Sequence, residues 1–523
     1  MNKLNTLSIL VNSMSKAEKR SFRLIYQQQG KDKVYLYLFD LLQKDMLHEE
    51  ITNTFKKKYK GKNFESAVKH LYNVILESLL ISRDSFDTQQ IIFNHITKAN
   101  ILFERGLHKE AFATLYKAKE MALKCENEQL AIIIQKNLLT FHSTLNFGQI
   151  GEKELISMQF EINSYLKYAQ TNIHHLQLYN VLRYRLNNKG YIRSDKHKND
   201  LNDLILSEVN LVANGSYQGF EADKLHSLFQ ATYYLNSGNT ELAVRYYKNL
   251  VSEYEKKGHL IQNPPLYYIS AIYGVLDSLL TSRVFNESDY FISKLEELAG
   301  RDYSKEFKMD LYAQIFIYKS TIAINKGMFS EAERIFSNYE EIIFKKISLY
   351  SPDLQLKLIY QQALIYFSQE NYSAVRRILK KIFMTGKMWY NLPVFREIRL
   401  LNLLIQAELG NHEFLTNEIG SFKRYIEYEK QIFLVEKLIF RFIQDYPLPV
   451  YEKNREKLWS KYESYITPII NNKYELILTK NFNFVAWIES KIKRVPFSET
   501  ICRFNESINS SLRGSDVKVH ISA

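Results

Sequence analysis

Apolar residues recur at helical spacing through most of this chain, and the recurrence is clearest between Leu225 and Gly258. There Leu225, Leu228, Phe229, Thr232 and Leu235 mark one face. Ser237-Gly238-Asn239 interrupts the run, and Leu242, Ala243, Tyr246, Tyr247, Leu250 and Val251 resume it. Two amphipathic helices joined by a glycine turn must pack antiparallel. The small Ala231 and Ala243 let the backbones approach, while Tyr234, Tyr247 and Leu250 fill the seam.

One such pair cannot bury its apolar faces alone, so the pattern requires neighbours of the same kind. Turn positions recur at Gly106, Gly148, Gly190, Gly238, Arg283, Gly327, Glu370 and Gly410, spaced by 42, 42, 48, 45, 44, 43 and 40 residues. Ala99, Leu102, Gly106, Ala111, Leu115 and Ala118 form one good copy, and Gly327, Ala332 and Phe336 another. The positions Arg283 and Glu370 lack glycine. Eight units in series predict an all-α chain in which residues 85–420 form an α-solenoid, with non-repeat helical regions at 1–84 and 421–523.

The central pair resembles a tetratricopeptide repeat (TPR) through Ala231, Tyr234, Gly238, Ala243 and Tyr247, with Leu250 where that family usually has alanine. The spacing exceeds the roughly 34 residues of the family, which calls for longer helices or loops. Met14-Ser15-Lys16-Ala17-Glu18-Lys19-Arg20 and Ala486-Trp487-Ile488-Glu489-Ser490-Lys491 together resemble a group of uncharacterised bacterial TPR-like proteins of about this length. The repeat resemblance implies that the solenoid is right-handed, and it brings no activity with it.

Outside the repeats, Ser15-Lys16-Ala17-Glu18 has the form of a capping box. The helix it opens places Lys16, Lys19, Arg20 and Arg23 on one face and Phe22, Ile25 and Tyr26 on another. Helices are also expected over 34–43, 49–58 and 63–82, as a cap on the first pair or a helix-turn-helix-like module. Beyond the repeats they are expected over 422–445, 454–466 and 473–478, followed by an apolar segment at 482–491 and a polar tail from about 507.

Composition narrows the picture. Only 17 glycines and 8 prolines in 523 residues disfavour a turn-rich β protein, and 46% hydrophobic residues allow a continuous core. The 37 tyrosines and 32 phenylalanines are accounted for mostly by aromatic helix seams. Two distant cysteines, Cys125 and Cys502, cannot make a disulfide framework or a Cys-based zinc site. With no cleavable leader pattern and no long apolar run, the sequence reads as soluble and cytoplasmic.

The net charge of +13 is concentrated at the ends: residues 1–84 carry 15 basic and 9 acidic residues, and 421–523 carry 17 and 12. Lys16, Lys19, Arg20 and Arg23 form one candidate anion or nucleic-acid contact. Lys56, Lys57, Lys58, Lys60 and Lys62 form the other, and both could equally be solvated surface.

Signatures of chemistry are missing from the sequence. No phosphate-binding GxxxxGK[ST], HExxH, GxSxG or dinucleotide GxGxxG occurs. His174 and His175 are adjacent and point about 100° apart on a helix, so they do not share a metal face. No catalytic, cofactor or metal residue is assigned, and the chain is expected to be non-enzymatic.

A protein or peptide partner in a groove lined by the first helix of each pair is the first expectation. Asn100, Leu228, Thr232, Asn236, Thr321 and Asn325 are its candidate contacts. Asn100 stands where some TPR proteins hold a peptide backbone, but the basic residues of their carboxylate clamp have no counterparts here. The apolar positions Leu225, Leu235, Ile317 and Ile324 suggest an apolar target or burial. The alternative is a nucleic-acid-binding regulator that uses the basic N-terminal helices, with the repeats as sensor or oligomerisation arm.

Overall fold

The computed structural model describes residues 3–506 apart from 29–32, 45, 84–86, 190–191, 193, 214–218, 262–264, 385–388, 390–391 and 429–431. Every regular element among the described residues is helical. Gly190 and the tail from 507 lie outside them, as do the side chains of Ile25 and Tyr26.

Five helices open the chain: α1 (Lys3–Ser13), α2 (Lys16–Gln28), α3 (Lys33–Leu42), α4 (His48–Lys58) and α5 (Phe64–Arg83). They enclose an apolar cluster of their own, in which Leu7, Phe22, Leu38, Phe55 and Leu71 are fully buried. The capping box forms: the Glu18 amide donates to Ser15 Oγ at 3.1 Å, and the Ser15 amide donates to Glu18 Oε2 at 2.7 Å. The short apolar run Leu7–Val11 did not announce α1, which packs against α3 and α5.

Helix pairs follow. They are α6 (Thr88–Glu104) with α7 (His108–Lys124), α12 (Phe220–Asn236) with α13 (Thr240–Lys256), and α14 (Leu266–Thr281) with α15 (Ser288–Gly300). Then come α16 (Lys305–Asn325) with α17 (Phe329–Ile343), α18 (Pro352–Ser368) with α19 (Tyr372–Met384), and α20 (Pro393–Glu408) with α21 (His412–Tyr428). Partners pack on each other, and first helices also meet in sequence, α12 on α14, α16 on α18 and α18 on α20. The turns share one backbone geometry. Gly106, Gly238, Gly327 and Gly410 have φ between +72° and +79°, and Arg283 and Glu370 adopt +60° without being glycine. A left-handed backbone costs a non-glycine residue about 1–2 kcal/mol, so these two side chains stay for another reason.

The middle of the series is not an even row of separate pairs. α8 (Glu128–Thr144) turns into a single 38-residue helix, α9 (Glu152–Lys189), which is followed by the short α10 (Asp195–Asn199) and α11 (Asn202–Ala213). No glycine or proline interrupts residues 152–189, so nothing breaks the helix. It packs on α8, α11 and α12, serving both as second helix of one pair and as first helix of the next. At its entrance the left-handed residues are Asn146 and Phe147, not Gly148.

The C-terminal region is more than an end cap. The expected helix over 422–445 divides: α21 ends at Tyr428 and α22 (Leu434–Gln444) is separate. After α23 (Glu452–Ile470) the chain returns along the row of turns, forms a short 3₁₀ turn at Leu476–Thr479 and then α24 (Phe484–Lys493). This segment, here called the strap, touches in order Gly238 through Lys473, Arg283 through Thr479, and Asn325 through Lys480. It reaches Phe367 through Phe482 and Glu370 through Lys491, then doubles back so that Ser498 lies against Gly327. Phe482, Phe484 and Trp487 are buried in the largest apolar cluster. Among the described residues no helix is long and apolar enough to cross a membrane.

Candidate functional site

The first helices and the strap enclose a cavity of about 760 Å³, within the size range of ligand sites. Each successive element contributes an amide or hydroxyl: Asn187 from α9, Asn236 from α12, Thr281 from α14, Gln314 and Thr321 from α16, Gln361 from α18, and Asn481 from the strap. The charges are largely matched in place. Lys480 pairs with Asp277 at 2.9 Å and Lys357 with Asp353 at 2.6 Å. Glu397, at the start of α20, is 1% exposed and accepts from Asn481 Nδ2 at 2.9 Å. Desolvation raises its carboxyl to about 7 against the opposing pull of Asn481 and Lys480.

Of the residues expected to contact a partner, Thr232, Asn236 and Thr321 line this cavity. Thr232 Oγ1 is 3.1 Å from the Tyr247 hydroxyl, Asn236 Nδ2 donates to the Thr232 carbonyl at 2.8 Å, and the Thr321 hydroxyl donates to Gln361 Oε1 at 3.2 Å. Leu235 and Ile317 also reach it.

The others lie elsewhere. Leu228 is wholly buried among core side chains, as is Ile324, for which burial was the alternative, because each lies on the face of its helix turned to its neighbours. Asn100 is half-buried on α6, away from this cavity. Asn325 is fully buried and already bonded: its Nδ2 donates to the Thr321 carbonyl and to the Lys480 carbonyl, both at 3.0 Å, and its Oδ1 accepts from Arg283. It does grip a peptide backbone, but that of its own chain.

Arg283, which sequence reasoning marked only as a turn without glycine, is the other half of that grip. It is 2% exposed and donates to Asn325 Oδ1 and to the carbonyl of Thr479. Burial lowers its pKa to about 9, which leaves it charged at neutral pH. Asp277, Glu397, Lys480 and Asn481 were also missed. The available signal was their polarity inside otherwise apolar stretches, such as Asn481 and Asn483 on either side of Phe482.

A second hollow of about 460 Å³ lies between the start of α6, the α7–α8 turn, α9 and α12, where Leu225 sits. Its acidic groups are engaged: Asp87 caps α6, Glu126 accepts from the Phe220 amide, and Glu221 pairs with the buried Lys224. Near it His175 is buried, its basicity pushed down to about 4 by desolvation, and its ring lies 6.5 Å from that of His226, which pairs with Glu208. The described residues contain no group of three His, Cys, Asp or Glu arranged to hold a metal ion.

The basic stripe on α2 is broken up. Arg23 pairs with Asp40 of α3 at 2.7 Å. Lys19 is half-buried, and burial followed by the nearby Lys305 charge lowers its pKa. Lys16 and Arg20 remain exposed. The second cluster holds together better: Lys56, Lys57, Lys60 and Lys62 are exposed where α4 ends, and Lys58 lies 3.7 Å from the Tyr37 ring centroid. Tyr37 and Asp40 are one helical turn apart on α3, so Lys58 and Arg23 meet neighbouring positions of that helix.

No family model matches this chain, and neither a curated protein nor a solved structure matches it.

Proposed function

We propose that the chain is a TPR-like, right-handed α-solenoid that works as a non-enzymatic cytoplasmic scaffold, holding a segment of a partner protein in its inner cavity. The observation that carries this is the wall of that cavity. Successive helices each present an amide or a hydroxyl, groups that both donate and accept, as a peptide backbone requires. The paired charges on the wall leave little net field to select a highly charged ligand.

The test fills the cavity. Gln314 reaches it from a half-buried position on α16, so Gln314→Trp adds bulk there without emptying the core. Tagged full-length protein is recovered from its own cells after crosslinking, with and without nuclease. Discrete protein partners that survive nuclease and are lost with Gln314→Trp are expected. Partners unaffected by that substitution would refute the cavity as their site.

A second reading is a nucleic-acid-binding regulator. The exposed lysines at the end of α4 favour it, since phosphate contacts give binding that falls steeply with salt. Nucleic acid that co-purifies, and is lost when Lys56, Lys57 and Lys60 are changed to Glu, would move the function to that surface.

A further inference from the structure

In a row of helix pairs each unit touches only its neighbours, so small rotations at each interface add up and the curvature is soft. Here one segment of the same chain is fastened to four turns of that row. We infer that the strap, residues 473–505, is an intramolecular ligand that fixes the curvature of the row from α12 to α20.

The contacts are those of recognition. Arg283 and Asn325, from two neighbouring pairs, hold the consecutive carbonyls of Thr479 and Lys480. The Lys480 ammonium bonds to Asp277 of a helix one pair earlier than Asn325, so that single residue bridges α14 and α16. Phe482 then anchors the strap in a closed aromatic pocket, at 0% exposure. Backbone grip, charge pair and buried aromatic anchor are the three parts of a bound peptide, and here they come from the protein's own C-terminal region.

Two consequences follow. The row from α12 to α20 behaves as one body, while α6 to α8 are held by their packing on one another and on α9 and by the Glu126 contact to the start of α12. The strap's contacts at Gly238, Arg283, Asn325 and Phe367 all lie beyond them. Ile477, Lys480 and Asn481 also form one wall of the cavity, so the strap and the cavity change together.

The test uses the Asp277–Lys480 pair, whose side chains are 33% and 22% exposed and so tolerate exchange without dismantling the core. Full-length wild type, Asp277→Lys, Lys480→Asp and the double exchange are compared by amide hydrogen exchange and small-angle X-ray scattering. Each single reversal is expected to speed exchange across residues 476–484 by about tenfold or more, to leave α6–α8 unchanged and to enlarge the radius of gyration. The double exchange restores both. Unaltered exchange in 476–484 after either reversal, or a strap that opens with no change in the scattering curve, overturns the inference. Should either single reversal fail to fold, Lys480→Gln, which removes the charge without reversing it, takes its place and is read by the same two measurements.

Discussion

Asn325, at the last turn of α16, donates its side-chain amide to the carbonyl of Lys480 at 3.0 Å, across 155 residues of sequence. The same amide group also holds Arg283, so one fully buried residue joins a turn, a helix end and the strap. Removing it leaves a buried guanidinium with a single partner, the costly way to break such a cluster. Asn325→Ala should lower stability by about 2–4 kcal/mol, measured by urea unfolding of the full chain.

Arg283 and Glu370, turn residues that adopt a left-handed backbone without being glycine, should respond unequally to becoming one. At Glu370 the side chain is 67% exposed and its bond to Lys491 is a surface ion pair, which contributes about 0–1 kcal/mol. Relief of the backbone cost offsets that loss, so Glu370→Gly should change stability by no more than about 1 kcal/mol. Arg283→Gly gains the same relief but loses both buried hydrogen bonds, and should destabilise by about 2 kcal/mol or more. Urea midpoints of the two variants side by side distinguish the cases, and equal effects would contradict a holding role for Arg283.

Tyr247 lies flat against Gly274 of α14, where an added methyl would come closer to the ring than any real contact allows. The ring is boxed in, since its hydroxyl also bonds Thr232 at 3.1 Å. Gly274→Ala should therefore cost about 1–3 kcal/mol, although alanine is the better helix former by about 1 kcal/mol. A stabilised variant in thermal unfolding would show that the seam between α13 and α14 can widen.

Glu397 should make stability depend on pH in the acid range. Its folded pKa is raised from 4.5 to about 7 by burial, so between these values the folded state keeps a proton that the unfolded state releases. Stability attributable to this group is full below about 4.5, falls as pH rises and levels off above about 7. The difference between wild type and Glu397→Gln, followed by chemical denaturation from pH 4 to 8, isolates it from the other carboxylates. The wild type should lose ground to the variant across that window.

Much of the architecture was legible because it is local. Helical periodicity, the Ser15 capping box and the turns at Gly106, Gly238, Gly327 and Gly410 depend on residues within a few positions of each other. Even Arg283 and Glu370 were placed as turns by spacing alone, and both adopt the left-handed backbone of the glycine turns. The middle of the series shows the limit: residues 152–189 form one 38-residue helix shared by two successive pairs, because no glycine or proline breaks it, and the spacing of turns did not announce that.

The candidate site was half legible for the same reason. Thr232, Asn236 and Thr321 were found because inward-facing positions of a first helix follow from its period. Leu228 and Asn325 share that period, but one is turned into the neighbouring pair and the other is taken by the strap. Lys480, Asn481 and Glu397 join the cavity through contacts 84 to 203 residues apart in sequence, which no local pattern encodes. The sequence by itself determined that the chain is helical and where most of its turns fall, since these follow from short-range sterics and the burial of one face. Only the tertiary structure decided that the C-terminal segment lies along the row of turns, because that depends on pairing one arginine, one asparagine and one aspartate with groups far along the chain.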